Sequence, residues 1–302
     1  MRVDGEEIMP KGEGIHQGPW RSGLETHPLP SYVTLGIVIR RVNRHWVKIK
    51  KILDYRELIL NLVIRDLKVK YKGSVLGFFW SLLNPLLLLV VYSIAFKYVI
   101  RIRVENFPLF FMVAFLPWTF LTLSLSLSVN VIVDNRYLIK KVYFPREILP
   151  LSVVLFNLVQ FLLTFLILFP VLFLFRVPLG PSLGGLPLVI GLQTLFITGI
   201  ALVLSNLNVY FRDIKHLVEV FLQMWFWLTP VAYPFTLVPD PVKFLFKLNP
   251  MTLFVIAYRD ILLEARFPDM ALMGQLALWS LGVLVLGYLL FNRYDARLAE
   301  SI

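Results

Sequence analysis

The chain has 302 residues, of which 58% are hydrophobic and only 16% charged, with a formal net charge of +11 and a mean hydropathy of +0.74. Soluble domains carry about a quarter charged residues, so this composition excludes water as the main solvent for most of the chain. Cysteine is absent, which excludes disulfides, thiolate catalysis and cysteine-ligated metals.

Residues 1–50 mix glycine, proline and charges without periodicity and are predicted to be an N-terminal extension, disordered or cytoplasmic, ahead of a single membrane domain over 51–302. No basic segment followed by an apolar one and a small-residue cleavage site opens the chain, so the first span is expected to act as its own insertion signal. The pattern changes at Asp54. Asp54 is placed to cap a helix over 54–72 whose third residue is Glu57, and Glu57, Asn61, Arg65, Lys68 and Lys72 then share one polar stripe. Leu58, Leu62 and Val69 border the stripe, with Ile59, Val63, Ile64 and Leu67 behind it. Such a helix lies in the membrane interface, either as an anchor or as a docking element beside a substrate entrance.

Charge-free stretches follow from Gly73 to Phe96, Asn106 to Val133, Ile148 to Phe175, Val177 to Phe211, Val220 to Pro239 and Met270 to Asn292. A helix needs roughly 20 apolar residues to cross a bilayer core, and a central charge costs about 2.5–3.5 kcal/mol. The runs show none of the alternation of a β-barrel, and backbone groups in lipid must bond within the segment. The predicted fold is therefore an all-α membrane protein with six transmembrane helices, at about 74–100, 107–133, 148–175, 184–211, 217–236 and 270–292. An amphipathic interface helix precedes them, and re-entrant outer-side helices lie between spans 5 and 6.

The loop from Asp134 to Glu147 is short, charged and aromatic. It reads either as an ordinary basic loop on the cytoplasmic side or as a short helix offered to a cytoplasmic partner, which accounts for Tyr137, Tyr143 and Phe144. After the fifth stretch, Pro230, Pro234, Pro239, Pro241 and Pro250 interrupt an apolar, aromatic run from Trp225 to Phe254 and predict a span followed by broken pieces. Irregular backbone at membrane depth is tolerated against protein or a water-filled cavity, which points to a pathway. Aromatics make up 15% of the chain. Many belong to lipid-facing or belt positions; others suit a conduit, since aromatic faces stack on sugar rings without demanding one hydrogen-bond pattern.

Of the 30 Lys and Arg residues, the six-span reading puts 22 on the side of the termini and 8 on the other, which predicts both termini in the cytoplasm. Orientation and anionic lipid then account for the net charge, and no nucleic-acid partner is expected. No lysine follows a glycine, so the end of a phosphate-cradling P-loop is missing. The span centres lack the acidic or histidine relays of ion-coupled carriers. The four histidines lie outside the spans and too far apart for a paired metal ligand, so no catalytic residue and no metal site is expected. Asp240, Asp260, Glu264 and Asp269 decorate an outer loop too short for a sugar-binding domain.

Two stretches carry a resemblance. One runs from Arg65 through Lys68, Lys70, Lys72 and Phe78-Phe79-Trp80 to Asn84-Pro85; the other runs from Ser205-Asn-Leu-Asn-Val-Tyr-Phe-Arg-Asp-Ile214 on to Leu228-Thr-Pro-Val-Ala-Tyr-Pro234. With Leu248-Asn-Pro-Met251 and Ala257-Tyr-Arg-Asp260, the chain resembles the polysaccharide-export permeases of the ABC-2 type, which export O-antigen, capsule or teichoic acid, from about Ile52 to the C-terminus. The resemblance implies a homodimer that pairs with two copies of a cytoplasmic ATPase, which binds ATP and Mg, and that moves an undecaprenyl-diphosphate-linked polysaccharide across the inner membrane. It implies a coupling helix in the loop, with Asn135, Arg136, Tyr137, Lys140, Lys141 and Tyr143 against the ATPase. Arg65, Lys68, Lys70 and Lys72 are the expected receivers of the diphosphate at the entry. Phe79, Trp80, Trp118, Trp225, Trp227 and Tyr233 are the expected channel lining, and Pro234, Phe235, Asn249 and Pro250 belong to an outer gate. Two other readings stand beside it: an ABC-2 exporter of a small lipid or drug, with a closed pocket, and a membrane-embedded glycan transferase active without an ATPase.

Overall fold

A computed structural model describes residues 54–73, 79–96, 104 and 106–301. The expected extension over 1–50, both ends of the first expected span and the side chains of Phe79 and Trp80 lie outside these residues. The described residues form helices and no strand. In chain order they are α1 Arg56–Tyr71, α2 Phe79–Ile94, α3 Phe107–Asp134, α4 Arg136–Lys141, α5 Ile148–Leu174, α6 Leu186–Tyr210, α7 Ile214–Trp227, α8 Lys243–Leu248, α9 Pro250–Leu262 and α10 Met270–Ser301, with short 3₁₀ turns at Pro181–Gly185, Phe235–Leu237 and Asp240–Val242.

Among the described residues, four helical stretches are long and apolar enough to cross a membrane: Phe107–Asp134, Ile148–Leu174, Pro181–Tyr210 and Met270–Tyr294. The other two expected spans differ. Helix α7 stops at Trp227, nine residues short of the expected end at 236, and Leu228 to Pro234 leave the helix. Pro230 is the physical reason, because its ring would clash with the carbonyl four residues back and it offers no N–H. Helix α2 is 16 residues long within its described bounds.

The amphipathic helix forms where expected, but its start differs. Tyr55, not Asp54, occupies the cap position, and no side chain bonds there. Gly73 follows the helix with φ of +77°, the left-handed conformation that lets glycine end a helix cheaply. The polar stripe is exposed, and the buried residues are Ile59, Leu62 and Val63. Ile59 and Leu62 pack with Ile132, Phe144, Ile148 and Phe291 in a small core at one end of the bundle, called here the basic end.

The large core is centred on α3, which packs on α5 and α6 and also touches α2, α7 and α9. Inside α3, Pro117 interrupts the ladder of backbone hydrogen bonds. The buried Gln193 of α6 donates to the Pro117 carbonyl (2.8 Å) and accepts from the Tyr258 hydroxyl of α9 (2.7 Å), so three helices share one satisfied polar chain. Helices α6 and α10 meet most closely: a Cβ on Gly287 would sit 2.2 Å from the Gly199 carbonyl oxygen, and one on Gly199 would sit 2.5 Å from that of Val283. Small residues at helix crossings let backbones approach in lipid, where apolar burial alone gives no preference for protein over lipid tails.

Candidate functional site

An open groove of about 510 Å³ lies between α2, α3 and α7. From α3 it takes Phe115, Trp118, Thr122 and Ser126, residues spaced by three and four and therefore on one helical face. From α7 it takes Glu219, Leu222, Gln223, Phe226 and Trp227, again at helical spacing, and α2 adds Tyr92. The alternating Thr122, Ser124, Ser126 and Ser128 divide between two faces: Ser124 and Ser128 are fully buried, whereas Thr122 and Ser126 line the groove. Rings set the walls. Trp118 meets Phe226 edge-on at 5.6 Å, Phe226 meets Trp227 edge-on at 5.3 Å, and Tyr92 stacks on Phe111 at 4.7 Å. Hydroxyl, amide and carboxylate groups interrupt these aromatic faces, a surface suited to a ligand with both apolar faces and many hydroxyls.

Of the expected lining residues, Trp118 and Trp227 are brought together here. Trp225 points to a different task, donating from its ring N–H to Asn249 Oδ1 (2.9 Å). Tyr233 donates its hydroxyl to the Trp227 carbonyl (2.5 Å), tying the outer segment back onto the end of α7. Tyr92, Phe115, Thr122, Ser126, Glu219, Gln223 and Phe226 were not anticipated. Only the i, i+3, i+7, i+11 spacing of Phe115, Trp118, Thr122 and Ser126 signals this face in the sequence. Glu219 faces His216 at 3.6 Å towards the basic end of the groove.

The four expected entry residues separate into two pairs. Arg65 is held by Asp66 (2.8 Å) and reaches Asn135 Oδ1 (3.4 Å). Lys70 donates to Gln160 of α5 and lies over the Phe156 ring, and partial burial lowers its ammonium pKa below the ordinary value. Lys68 and Lys72 remain exposed and, among the described residues, have no ion-pair or hydrogen-bond partner.

At the basic end, Asn135 closes α3 with its side-chain amide on the Val131 carbonyl (2.8 Å) and hands the chain to α4. No residue of α4, which includes Arg136, Tyr137, Lys140 and Lys141, is buried. Tyr137 is 67% exposed and Tyr143 87%, while the neighbouring Phe144 is buried and anchors the loop. The Arg136 guanidinium lies over the Tyr137 ring at 5.1 Å.

At the opposite end, Asn249 is a hub. Its Oδ1 accepts from the Met251 N–H (3.0 Å), which caps α9, and from Trp225; its Nδ2 donates to the Leu228 carbonyl (3.0 Å) and to Thr229 Oγ1 (3.0 Å). Pro250 takes the first helical position of α9, where its missing N–H costs nothing. Pro234 and Phe235 begin the short turn Phe235–Leu237. The buried Arg259 donates to the Val231 carbonyl (2.9 Å) and stacks on the Phe110 ring, so the broken segment is pinned to both α9 and α3.

Residues 57–263 match the ABC-2 type transporter family, and the chain belongs to it as a multi-pass membrane protein. It is 35% identical over 260 residues to the O-antigen export system permease protein RfbA of Myxococcus xanthus, a match covering 84% of this chain and 98% of that protein. It is 32% identical over 260 residues to an O-antigen export system permease protein RfbA of Klebsiella pneumoniae, covering 85% of this chain and 99% of the relative.

Proposed function

We propose that this chain is the permease subunit of an ATP-driven exporter that carries a lipid-linked polysaccharide, of the O-antigen class on an undecaprenyl diphosphate, across the inner membrane. The observation that carries the reading is the groove of Trp118, Trp227, Phe226, Thr122 and Ser126, whose rings suit sugar faces and whose hydroxyls suit sugar hydroxyls. The groove is open along one side. Its borders are apolar and exposed, with Val90, Val91 and Ile94 on α2 and Val220, Phe221 and Met224 on α7. Two copies facing each other there would close the groove into a channel and bury both apolar faces. The relatives named as O-antigen export permeases support the cargo.

In this reading α2 and α7 are the first and fifth of six spans, and the membrane domain covers 51–302 behind an extension of 1–50. Both termini are cytoplasmic, and pieces of Tyr233 to Tyr258, with Pro234, Phe235, Asn249 and Pro250, are the outer gate. Two copies of a separate cytoplasmic ATPase bind ATP and Mg and hydrolyse the nucleotide; this chain holds no cofactor. Their closure pushes α4, and α2 and α7 of the two copies part so that the polymer advances. Lys68 and Lys72 receive the diphosphate by charge-assisted hydrogen bonds.

The test is the ATPase rate of the complex, co-purified with a candidate partner ATPase and reconstituted with and without lipid-linked polysaccharide. Co-purification with glycan-dependent turnover is expected. Joint replacement Lys68→Gln and Lys72→Gln should raise the glycan concentration for half-maximal effect at least tenfold, since one hydrogen bond to a charged group is already worth about 1.5–3 kcal/mol. Failure of any ATPase to bind would overturn the exporter reading, and an unchanged glycan response in the lysine variant would remove those two residues from the entry.

Tyr137→Ala is expected to weaken association with the ATPase by about 2 kcal/mol, roughly thirtyfold, because an exposed tyrosine on a docking element is a typical anchor of such interfaces. Titration of the detergent-solubilised chain with the ATPase checks this. Equal affinities for the parent and the variant would move the contact elsewhere.

A further inference from the structure

A second groove, of about 480 Å³, runs between the last turns of α6 and the matching turns of α10. It lies away from the functional groove, since α10 packs along α6 whereas α2 and α7 lean mainly on α3. Its walls are apolar, with Leu207 and Phe211 on one side and Leu290 on the other. Tyr210 and Tyr294 form the rim: the Tyr210 hydroxyl donates to the Tyr294 carbonyl (3.1 Å) and the rings meet edge-on at 6.2 Å.

Two features separate this groove from an ordinary lipid-facing seam. The first is charge. Arg212 follows the wall residue Phe211 and Arg293 precedes the rim residue Tyr294; both are exposed and, among the described residues, neither has a carboxylate partner. The second is an orphaned acceptor. Asn206 lines the groove and is only 4% exposed. Its Nδ2 donates to the Phe291 carbonyl (3.3 Å), and among the described residues its Oδ1 has no donor.

We propose that this groove binds an anionic phospholipid of the cytoplasmic leaflet, with one acyl chain between α6 and α10 and the phosphate between Arg212 and Arg293. The proposal rests on the orientation read from the basic residues and not on the exported cargo. An aromatic rim at the interface, an apolar slot behind it and unpaired arginines beside it match the three zones of such a lipid. A glycerol headgroup leaves the phosphate charge uncompensated, whereas a choline headgroup carries its own cation, so the two arginines favour the former.

The experiment is native mass spectrometry of the full chain in detergent, titrated with dioleoylphosphatidylglycerol or dioleoylphosphatidylcholine. Retention of phosphatidylglycerol in preference to phosphatidylcholine is expected. Arg212→Gln with Arg293→Gln should lower that preference roughly fivefold per arginine removed. Leu290→Trp, which fills the slot without touching the charges, should release the lipid while the protein still elutes as a folded species. Equal retention of the two lipids by the parent chain would overturn the proposal. So would full retention of phosphatidylglycerol by Leu290→Trp, which would place the lipid elsewhere. Displacement of phosphatidylglycerol by a polyprenyl phosphate would assign the slot to the exported lipid and overturn it as well. Neither ATPase nor glycan enters these measurements, so their outcome is independent of the exporter test.

Discussion

Replacing Gly287 by alanine is expected to destabilise the folded chain by about 1–3 kcal/mol or more, the range for overpacking a tight contact. The new methyl carbon would sit 2.2 Å from the Gly199 carbonyl oxygen and 2.8 Å from its carbon. These atoms belong to a helix backbone, so no flexible side chain can swing away, and α6 and α10 must separate along the crossing. Separation would also undo the bond from Asn206 to the Phe291 carbonyl. The control is Gly282→Ala on the same helix, where nothing lies within 4 Å of the added carbon and where alanine, the better helix former, is tolerated. Melting curves of the two purified variants check the prediction. An unchanged transition for Gly287→Ala would mean that the two backbones do not meet there.

Asn249→Ala is expected to have the second large effect. It removes a helix cap, worth about 0.5–2 kcal/mol. It also takes away the partner of the partly buried Trp225 ring N–H, which costs at most the about 1–3 kcal/mol of a fully buried unpaired group, and one hydrogen bond of the exposed Leu228 carbonyl. Three pieces of chain lose their common tie: the end of α7, the non-helical Leu228–Thr229 and the start of α9. Asn249→Asp separates the contributions, since it keeps the acceptor for Met251 and Trp225 but loses the donor to Leu228 and Thr229. Limited proteolysis of the 228–249 segment and thermal melting read both. Parent-like stability of the alanine variant would show that the hub bears no weight.

The long spans were legible because a charge-free run of this length has one solution in lipid, and α3, α5, α6 and α10 fall on the expected stretches. The polar stripe of α1 was legible for a similar reason, since its spacing is a property of the helix alone. The expected fifth span shows where such reasoning loses precision: hydrophobicity continues to Pro239, but Pro230 ends the helix at Trp227, so apolar length overestimates helical length. The groove was legible only in part. Trp118 and Trp227 stand out as large aromatics, yet whether a tryptophan faces a groove or a hydrogen-bond partner depends on residues distant in sequence. Trp225 is the example, since its partner Asn249 lies 24 positions away. Thr122 and Ser126 were missed because serines and threonines at every second position suggest no single face until the helix is built. Lys70 was grouped with Lys68 and Lys72 as a basic residue at the expected entry, and its contact with Gln160 of α5 sets it apart.

The junction between α1 and the 135–144 loop has a mechanical consequence. Arg65 reaches Asn135, the Tyr55 hydroxyl donates to the Tyr143 carbonyl (3.4 Å), and Ile59 and Leu62 share a core with Phe144 and Ile148. A surface helix and an exposed knob are thereby geared together. A load applied to the knob would therefore be passed to the surface helix, whose Leu60, Ile64 and Val69 are exposed and apolar and so suited to sit among lipid headgroups and acyl chains. On the exporter reading proposed above, the bilayer would then act as part of the spring against which a push on α4 works.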